Sequence, residues 1–335
     1  MTDSRPELDF RLRLEIELKD NDKSKGIVIE DAYGDDSKGL DMSFVIDKSY
    51  TTQPTKSEIK IYNMSTDLYN LILVKANAFR LSCARGKDVD YIPFYTGFPI
   101  RTVKSGKDTI LTSNQGFMKQ DANAGRGGQN DYETTITLMN YGFAQLFKSY
   151  QTMVSVDMVI QDCIDALGLP RGNIDDTVKK RIEGAVLPIG FTIYGEVANT
   201  LTMLGDNFGF NWNTNDMKLN LYDKERKDIK TYGVVLTPFN SSTPERQDDK
   251  FKARTKTIRK ASKKKGIKGI KQTTIQKEER GYMIKTMLLP HLQCGSTCYL
   301  QEFGMPDAEG EKYVYRIRHV GSNTGTDGYS EVYCV

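Results

Sequence analysis

Histidine is the side chain on which acid–base and nucleophilic catalysis most often depends, and it occurs only at His291 and His319. Both lie near the C-terminus in strand-like surroundings. Cys163 could act as a nucleophile beside either one, but its place on an apolar helical face favours a core residue. Paired carboxylates stay open, because the 44 acidic residues offer many pairs whose proximity a sequence does not show. We predict a protein that is not an enzyme and has no catalytic residue.

Three residues of metal-ligand type, His291, Cys294 and Cys298, lie close together in the sequence. They leave a fourth zinc ligand to be found, and no C-x-x-C spacing accompanies them. A turn with incidental thiols is the favoured interpretation, so we predict no metal and no cofactor. The five cysteines are an odd number, and the first residues lack the pattern of a signal peptide, which favours free buried thiols.

The segment from Lys252 to Lys271 contains ten Lys or Arg residues and no Asp or Glu. Subtracting these ten charges from the net charge of +3 leaves −7 on the rest of the chain, so basic charge is concentrated here. Residues 266–269 have the G-x-x-G form of a KH nucleic-acid loop, but no aromatic residue for base stacking lies nearby. We interpret the segment as an insertion that faces a partner or phosphates, with non-specific backbone contact if nucleic acid binds. The residues that carry this prediction are Arg259, Lys260, Lys263, Lys264, Lys265, Lys268 and Lys271.

The elements that must position these residues are mostly strands. Apolar residues alternate with charged residues from Phe10 to Lys19, which predicts a strand with one buried face. Shorter runs of strand character follow and are separated by turn-forming clusters, at residues 40–48, 57–62, 78–84, 91–103 and 109–112. One helix is predicted after Ser65 as its N-cap, with Leu68, Leu71 and Ile72 on one face.

The middle third changes to a helical period. A helix is predicted between Ser155 as N-cap and Gly168 as C′ residue, with Cys163 on its apolar face. A second helix, with an apolar stripe from Val197 to Phe208, is predicted to end near Gly209.

Strand patterns return after these helices. Residues 210–213 and 218–222 are predicted to form a hairpin, and strands resume at Tyr232. Residues 313–320 and 329–335 are rich in Tyr and Val and are predicted to close the chain as a strand pair.

These patterns predict a mainly β protein with an α+β insert, in which two small antiparallel β-barrels are bridged by a mixed α/β domain. The predicted domains are residues 1–125 for the first barrel, 126–225 for the α/β domain and 226–335 for the second barrel. The basic insertion interrupts the second barrel at about 247–275. No run approaches the ~18 apolar residues of a membrane helix, so no membrane-spanning segment is predicted.

Several short sequence segments, here called phrases, follow one another in a characteristic order along the chain. An apolar strand ending in Lys-Ser precedes a strand closing in Tyr-Asn-Met-Ser within GLDMSFVIDKSYTTQPTKSEIKIYNMS. The later phrases are FYTGFPI, GEVANTLTMLGDNFGFNWNTNDMKLNLYD, STPERQ, GYMIKTMLLPHLQCGSTCYL and YVYRIRHVGSNTGTDGYSEVYCV. In this order they resemble the baseplate hub proteins of tailed bacteriophages, the family of Mu-type and late-control tail proteins. The family brings its Thr-Pro-Glu-like phrase close to its Leu-Leu-Pro phrase, whereas residues 247–280 separate them here, so the resemblance assigns no role to the basic segment.

The resemblance implies a symmetry adaptor. Three copies of the chain would form a ring of six barrels that joins a threefold central spike to a sixfold tail tube. The implied partners are the other copies of a homotrimer, the central spike protein, the tail tube or distal tube protein and the tape-measure protein. Transient non-specific DNA contact in the lumen is a further expectation for the basic segment. The implied location is the tail baseplate of a virion, assembled in the bacterial host cytoplasm, and a contractile tail is favoured.

Two other classes of function stay open at this point. A tail-associated cell-wall hydrolase would need a cleft with paired carboxylates or a Cys–His pair. A nucleic-acid-binding module centred on Lys263, Lys264 and Lys265 would bind with strong salt dependence.

Overall fold

The computed structural model describes residues 10–19, 26–30, 40–50, 55–85, 90–105, 133–139, 144–215, 218–224, 232–247, 254–261, 270–277, 281–323 and 328–335. Within these ranges the protein is mainly β with antiparallel sheets and carries four helices, so the predicted fold class is confirmed.

The N-terminal elements alternate buried and exposed side chains as the sequence predicts. In the first strand Leu12 and Leu14 are fully buried, while Arg13 and Glu15 pair on the other face. The Oγ of Ser65 accepts a hydrogen bond from the Leu68 backbone N–H at 3.2 Å, which caps the predicted helix. The elements are β1 (Phe10–Leu18), β2 (Ile27–Glu30), β3 (Met42–Ser49), β4 (Lys56–Tyr62), α1 (Thr66–Lys75), β5 (Ala76–Arg85), β6 (Ile92–Ser105) and β7 (Glu133–Met139). The strand predicted at 109–112 lies outside the described residues.

The middle elements confirm both long helices. Ser155 caps the first through its Oγ, and Gly168 and Gly209 end the two helices at positive φ angles of 65° and 74°. Cys163 lies buried on the first helix, as predicted. The elements are β8 (Gln145–Ser149), β9 (Val154–Ser155), α2 (Val156–Leu167), β10 (Arg171–Ile174), α3 (Asp176–Ile182), β11 (Val186–Leu187), β12 (Thr192–Glu196), α4 (Val197–Phe208), β13 (Phe210–Asn213) and β14 (Leu219–Asp223).

The C-terminal elements are all strands. The predicted closing pair is present, since the last two strands are antiparallel neighbours. The elements are β15 (Tyr232–Leu236), β16 (Glu245–Arg246), β17 (Arg254–Ala261), β18 (Ile270–Lys277), β19 (Tyr282–Met287), β20 (Thr297–Leu300), β21 (Gly310–Ser322) and β22 (Tyr329–Cys334).

Thirteen strands form one sheet that spans both ends of the chain. Its main path runs β16-β19-β22-β21-β3-β4-β7-β6-β5-β1-β2, and β20 adds to β21 with β15 beside it. The N-terminal and C-terminal strands join where β21 pairs with β3, with Val320 opposite Val45. Hydrogen-bonded pairing among the described strands closes neither predicted barrel into a ring. β7 falls in the range predicted for the middle domain, yet it pairs with β4 and β6. Where each domain begins and ends stays a prediction.

Three hydrophobic clusters lie beneath these elements. The first is built mainly from β1–β7, the second from the middle elements, and the third from the C-terminal strands. Tyr50, just after β3, connects the third cluster to the other parts of the chain. Its ring lies 4.9 Å from that of Tyr222 on β14 and 5.0 Å from that of Tyr313 on β21. We call this meeting point of three chain regions the tyrosine junction.

Candidate assembly surfaces and the basic hairpin

The basic segment contains an antiparallel hairpin. β17 and β18 pair from Arg254 opposite Lys277 to Ala261 opposite Ile270. Of the predicted partner-facing residues, Arg259 and Lys260 are on β17, and Lys271 is on β18 directly opposite Lys260. The remaining four, Lys263, Lys264, Lys265 and Lys268, lie outside the described residues, as does the G-x-x-G sequence at 266–269.

The hairpin enters and leaves the large sheet between two strands that are direct neighbours. β16 precedes it and β19 follows it, and these strands pair with Glu245 opposite Met283 and Arg246 opposite Tyr282. The sheet therefore continues across the base of the insertion. A segment of this charge is suited to an acidic or phosphate-bearing partner.

Cys163 has the environment of a core thiol. Burial, with a smaller contribution from the charge of Asp162, raises the pKa of Cys163 to about 12. A thiol that stays protonated at neutral pH is a poor nucleophile. Cys163 belongs to the second hydrophobic cluster, whereas His319 packs edge-on against Phe94 of the first, so the structure gives no support for a Cys–His pair.

His319 is a buried structural histidine on β21. Its Nδ1 lies 2.9 Å from the Oγ of Ser330, which also accepts the backbone N–H of Leu289. Burial, followed by the charge of Lys48, lowers the pKa of His319 well below its usual value of 6.5. The imidazole is therefore neutral at physiological pH. His291 lies in an exposed turn between β19 and β20, which agrees with the interpretation of this segment as a turn.

The three residues of zinc-ligand type lie in different surroundings. Cys294 and Cys298 are buried in the third cluster, while His291 is exposed. A hydrogen bond between the thiols of Cys298 and Cys334, together with burial, raises the pKa of Cys334 well above its usual value. In the ranges the structure describes, no three His, Cys, Asp or Glu side chains are grouped as a metal site.

Two aromatic side chains stand out from the middle elements. Phe147 on β8 and Tyr194 on β12 are directly opposite in register, and their rings meet edge-to-face at 4.9 Å. Tyr194 is 87% exposed and Phe147 is also exposed. We call these two residues the aromatic pair. Large exposed aromatic side chains on a fixed strand pair are typical anchors of protein–protein interfaces.

A second exposed aromatic surface is formed by Phe239, which lies on a turn after β15 and is 92% exposed. Asn240 holds the turn, since its Oδ1 accepts the Thr237 backbone N–H at 2.9 Å and its Nδ2 donates to the Val235 carbonyl at 3.1 Å. The Oγ1 of Thr286 donates to the Asn240 carbonyl at 2.7 Å and ties the turn to β19. We call residues 237–241 the Phe239 turn. A rigid turn presents its aromatic ring at low entropic cost on binding.

Sequence reasoning missed both surfaces. A usable signal existed for the Phe239 turn, because Phe239 lies between Pro238 and Asn240, two strong turn formers. An aromatic residue in such a turn is exposed by its position. The sequence gives no such signal for the aromatic pair. Alternation along a five-residue strand separates its two faces but does not indicate which face is buried against the rest of the protein.

Within the part of the chain that the structure describes, no helix has the length and apolar character needed to cross a membrane.

The sequence matches no family model and no curated protein. The fold, by contrast, is similar to solved structures of tail proteins. A tail protein from Neisseria meningitidis MC58 superposes with a TM-score of 0.51 at 9% identity, covering 96% of each chain. The 43 kDa tail protein of prophage MuSo2 from Shewanella oneidensis superposes with a TM-score of 0.52 at 8% identity, covering 96% of this chain and 97% of the other. The class that the structure defines is therefore the fold of these tail proteins, shared over almost the whole chain.

Proposed function

We propose that this chain is a structural protein of a phage tail and, within the tail, the baseplate hub. In this role three copies form a ring that adapts a threefold central spike to a sixfold tail tube. The observation that carries the proposal is the shared fold, which extends over 96% of this chain in two tail proteins. That coverage leaves little of the sequence for a separate hydrolase domain. The ordered sequence phrases that resemble the hub family support the finer assignment.

The exposed aromatic surfaces suit an assembling protein. The aromatic pair and the Phe239 turn are on different parts of the chain, so each can contact a different neighbour. Head-to-tail contacts between two different surfaces of one chain generate closed rings when the rotation closes. Obligate assemblies bury about 2,000 Å² or more per interface, with aromatic residues near the centre. The proposed partners are two further copies of the chain, the central spike, the tail or distal tube and the tape-measure protein, in a virion baseplate assembled in the host cytoplasm.

Absolute mass tests the ring. We expect light scattering on a sizing column to give about three times the protomer mass of 37.9 kDa, and a heavier complex after mixing with a central spike protein. Phe239→Ser and Tyr194→Ser should each lower the trimer fraction. Val74→Ser is the matched control, because Val74 is also exposed and apolar but lies on α1. A protein that stays monomeric at all concentrations, with and without the spike, would contradict the hub assignment.

The basic hairpin can be tested separately from the ring. It is inserted between β16 and β19, which pair directly with each other, so changes in the hairpin leave the sheet in place. We propose that it faces the lumen of the ring or an acidic neighbour. Replacing Arg259, Lys260 and Lys271 with Glu should block assembly of infectious particles while leaving the mass of the isolated ring unchanged. Intact assembly and infectivity of this variant would refute the role.

The density of positive charge also supports a second candidate function, which is non-specific contact with DNA. This function predicts binding to DNA of any sequence, weakening steeply with salt and lost in the triple Glu variant. A zymogram on purified peptidoglycan separates both proposals from the hydrolase alternative, since only a hydrolase would clear the gel.

A further inference from the structure

A pocket of about 330 Å³ opens beside the tyrosine junction, where three regions of the chain meet. β3 contributes one residue, the β10 and β13–β14 region contributes most, and the segment before β20 contributes two. The lining residues that carry the argument are Lys48, Arg171, Asn173, Lys218, Asn220 and Gln293. Nearly all of the lining residues are polar, whereas pockets for apolar ligands are lined mostly by hydrophobic side chains. The pocket is therefore suited to a polar ligand.

The buried side of the pocket is held by a network of amide groups. Asn213 and Asn215 both donate from Nδ2 to the Ser49 carbonyl, at 3.3 and 3.1 Å. Asn220 donates from Nδ2 to Asn213 Oδ1 at 3.1 Å and accepts the Asn173 backbone N–H at 2.8 Å. These bonds join the end of β3 to β10 and to the β13–β14 hairpin. The wall is therefore fixed before any ligand arrives.

Gly172 brings the backbone of β10 unusually close to this network. A Cβ atom at this position would lie 2.2 Å from the Oδ1 of Asn220 and 2.9 Å from the Leu219 carbonyl. Only glycine permits this approach without moving the amide.

The charge of the pocket is positive. Lys48 is only 2% exposed and lines its buried side, next to Ser49, whose carbonyl accepts from the amides. Arg171 and Lys218 lie at the exposed rim. No Asp or Glu is among the described residues that line the pocket. Arg171 contacts Asp157 through one Nη at 2.9 Å, and its guanidinium carries further N–H donors.

We propose that this pocket binds a small polar molecule that carries a phosphate-type oxyanion. Ammonium and guanidinium groups supply charge-assisted hydrogen bonds to such an oxyanion. The side-chain amides of Asn173 and Gln293 offer both donors and acceptors for hydroxyl groups attached to it. The volume lies at the lower end of the range for small organic ligands.

Calorimetry on the full chain tests the proposal, with inorganic phosphate and glycerol phosphate as probes. Ionic strength is held constant with sodium chloride so that general screening does not mimic binding. We expect one saturable site per chain for at least one probe. Tighter binding of glycerol phosphate would show that the ligand is an organic phosphate whose hydroxyl groups contact the amides. Tighter binding of inorganic phosphate would show that the ligand is the free oxyanion.

Lys218→Glu is the decisive variant, because Lys218 is exposed at the rim and its reversal leaves the buried network in place. It should weaken binding about tenfold. Lys180→Glu on α3 is the matched control, an exposed lysine that does not line the pocket. Lys48→Met should abolish binding where the variant folds. Two results would overturn the proposal: neither probe binds saturably to the wild type, or the two Glu variants bind alike.

Discussion

Arg181 and Asp223 form an ion pair across the middle elements, and the pair can be removed one charge at a time. The Nη1 of Arg181 on α3 lies 2.8 Å from the Oδ1 of Asp223 at the end of β14. The Asp223 side chain is fully buried, and that of Arg181 is 30% exposed. The same Nη1 donates to the Gly209 carbonyl at 2.8 Å, just after α4. The hydroxyl of Tyr50 donates to the Asp223 carbonyl at 2.9 Å, so the pair adjoins the tyrosine junction.

Arg181→Met should destabilise the protein by about 3 kcal/mol, because the buried carboxylate loses its guanidinium partner. We take the lower end of the range for broken buried pairs, since water reaches part of the guanidinium. The loss of the bond to the Gly209 carbonyl acts in the same direction. Adding Asp223→Asn to this variant removes the buried charge and should restore about 1 kcal/mol.

Equilibrium unfolding in urea, followed by circular dichroism, measures these differences. With a denaturant slope of about 3 kcal/mol/M, the midpoint should fall by about 1 M for Arg181→Met. Arg171→Met is the control: its Nη1 lies 2.9 Å from Asp157, but both partners of that pair are more than a third exposed. An exposed pair contributes about 0–1 kcal/mol. Equal losses for Arg181→Met and Arg171→Met, or a double variant no more stable than Arg181→Met, would refute the reasoning.

The remaining predictions concern single buried groups. Because the folded-state pKa of His319 lies below the unfolded value near 6.5, the unfolded chain binds more protons, and stability should fall as pH drops below 6.5, by at most about 1.4 kcal/mol per pH unit. Urea titrations between pH 7 and pH 5 should lose this slope in His319→Gln and keep it in His291→Gln; equal slopes in both would disprove it. Gly205→Ala should lower the melting temperature although alanine favours helices, because its Cβ would lie 2.4 Å from the Phe210 carbonyl oxygen. Asn199→Ala, exposed on the same helix, should not lower it, and a rise for Gly205→Ala would show that the contact relaxes. All five cysteines are buried and free, so Ellman's reagent should label none quickly in the native protein and all five in urea; rapid native labelling would show that a cluster opens.

The sequence determined those elements whose signals are local. The alternation of apolar and charged residues predicted β1, and the capping Ser155 with the C′ residue Gly168 predicted the two ends of α2. The tyrosine- and valine-rich runs fixed the closing pair of β21 and β22. Each of these signals depends on neighbours within a few residues, where the backbone period and the cap chemistry suffice. Short elements such as β2 and α3 contain too few residues for a hydrophobic period to be recognised in the sequence.

The tertiary structure alone decided which distant residues meet. Nothing local indicates that β21 joins β3, that Arg181 reaches Asp223, or that Lys48 shares a pocket with Lys218. The sequence shows these as ordinary charges on separate elements. Whether a charge is solvated, paired or held in a pocket depends on which remote segments cover it, and that coverage is set by the packing of the whole chain.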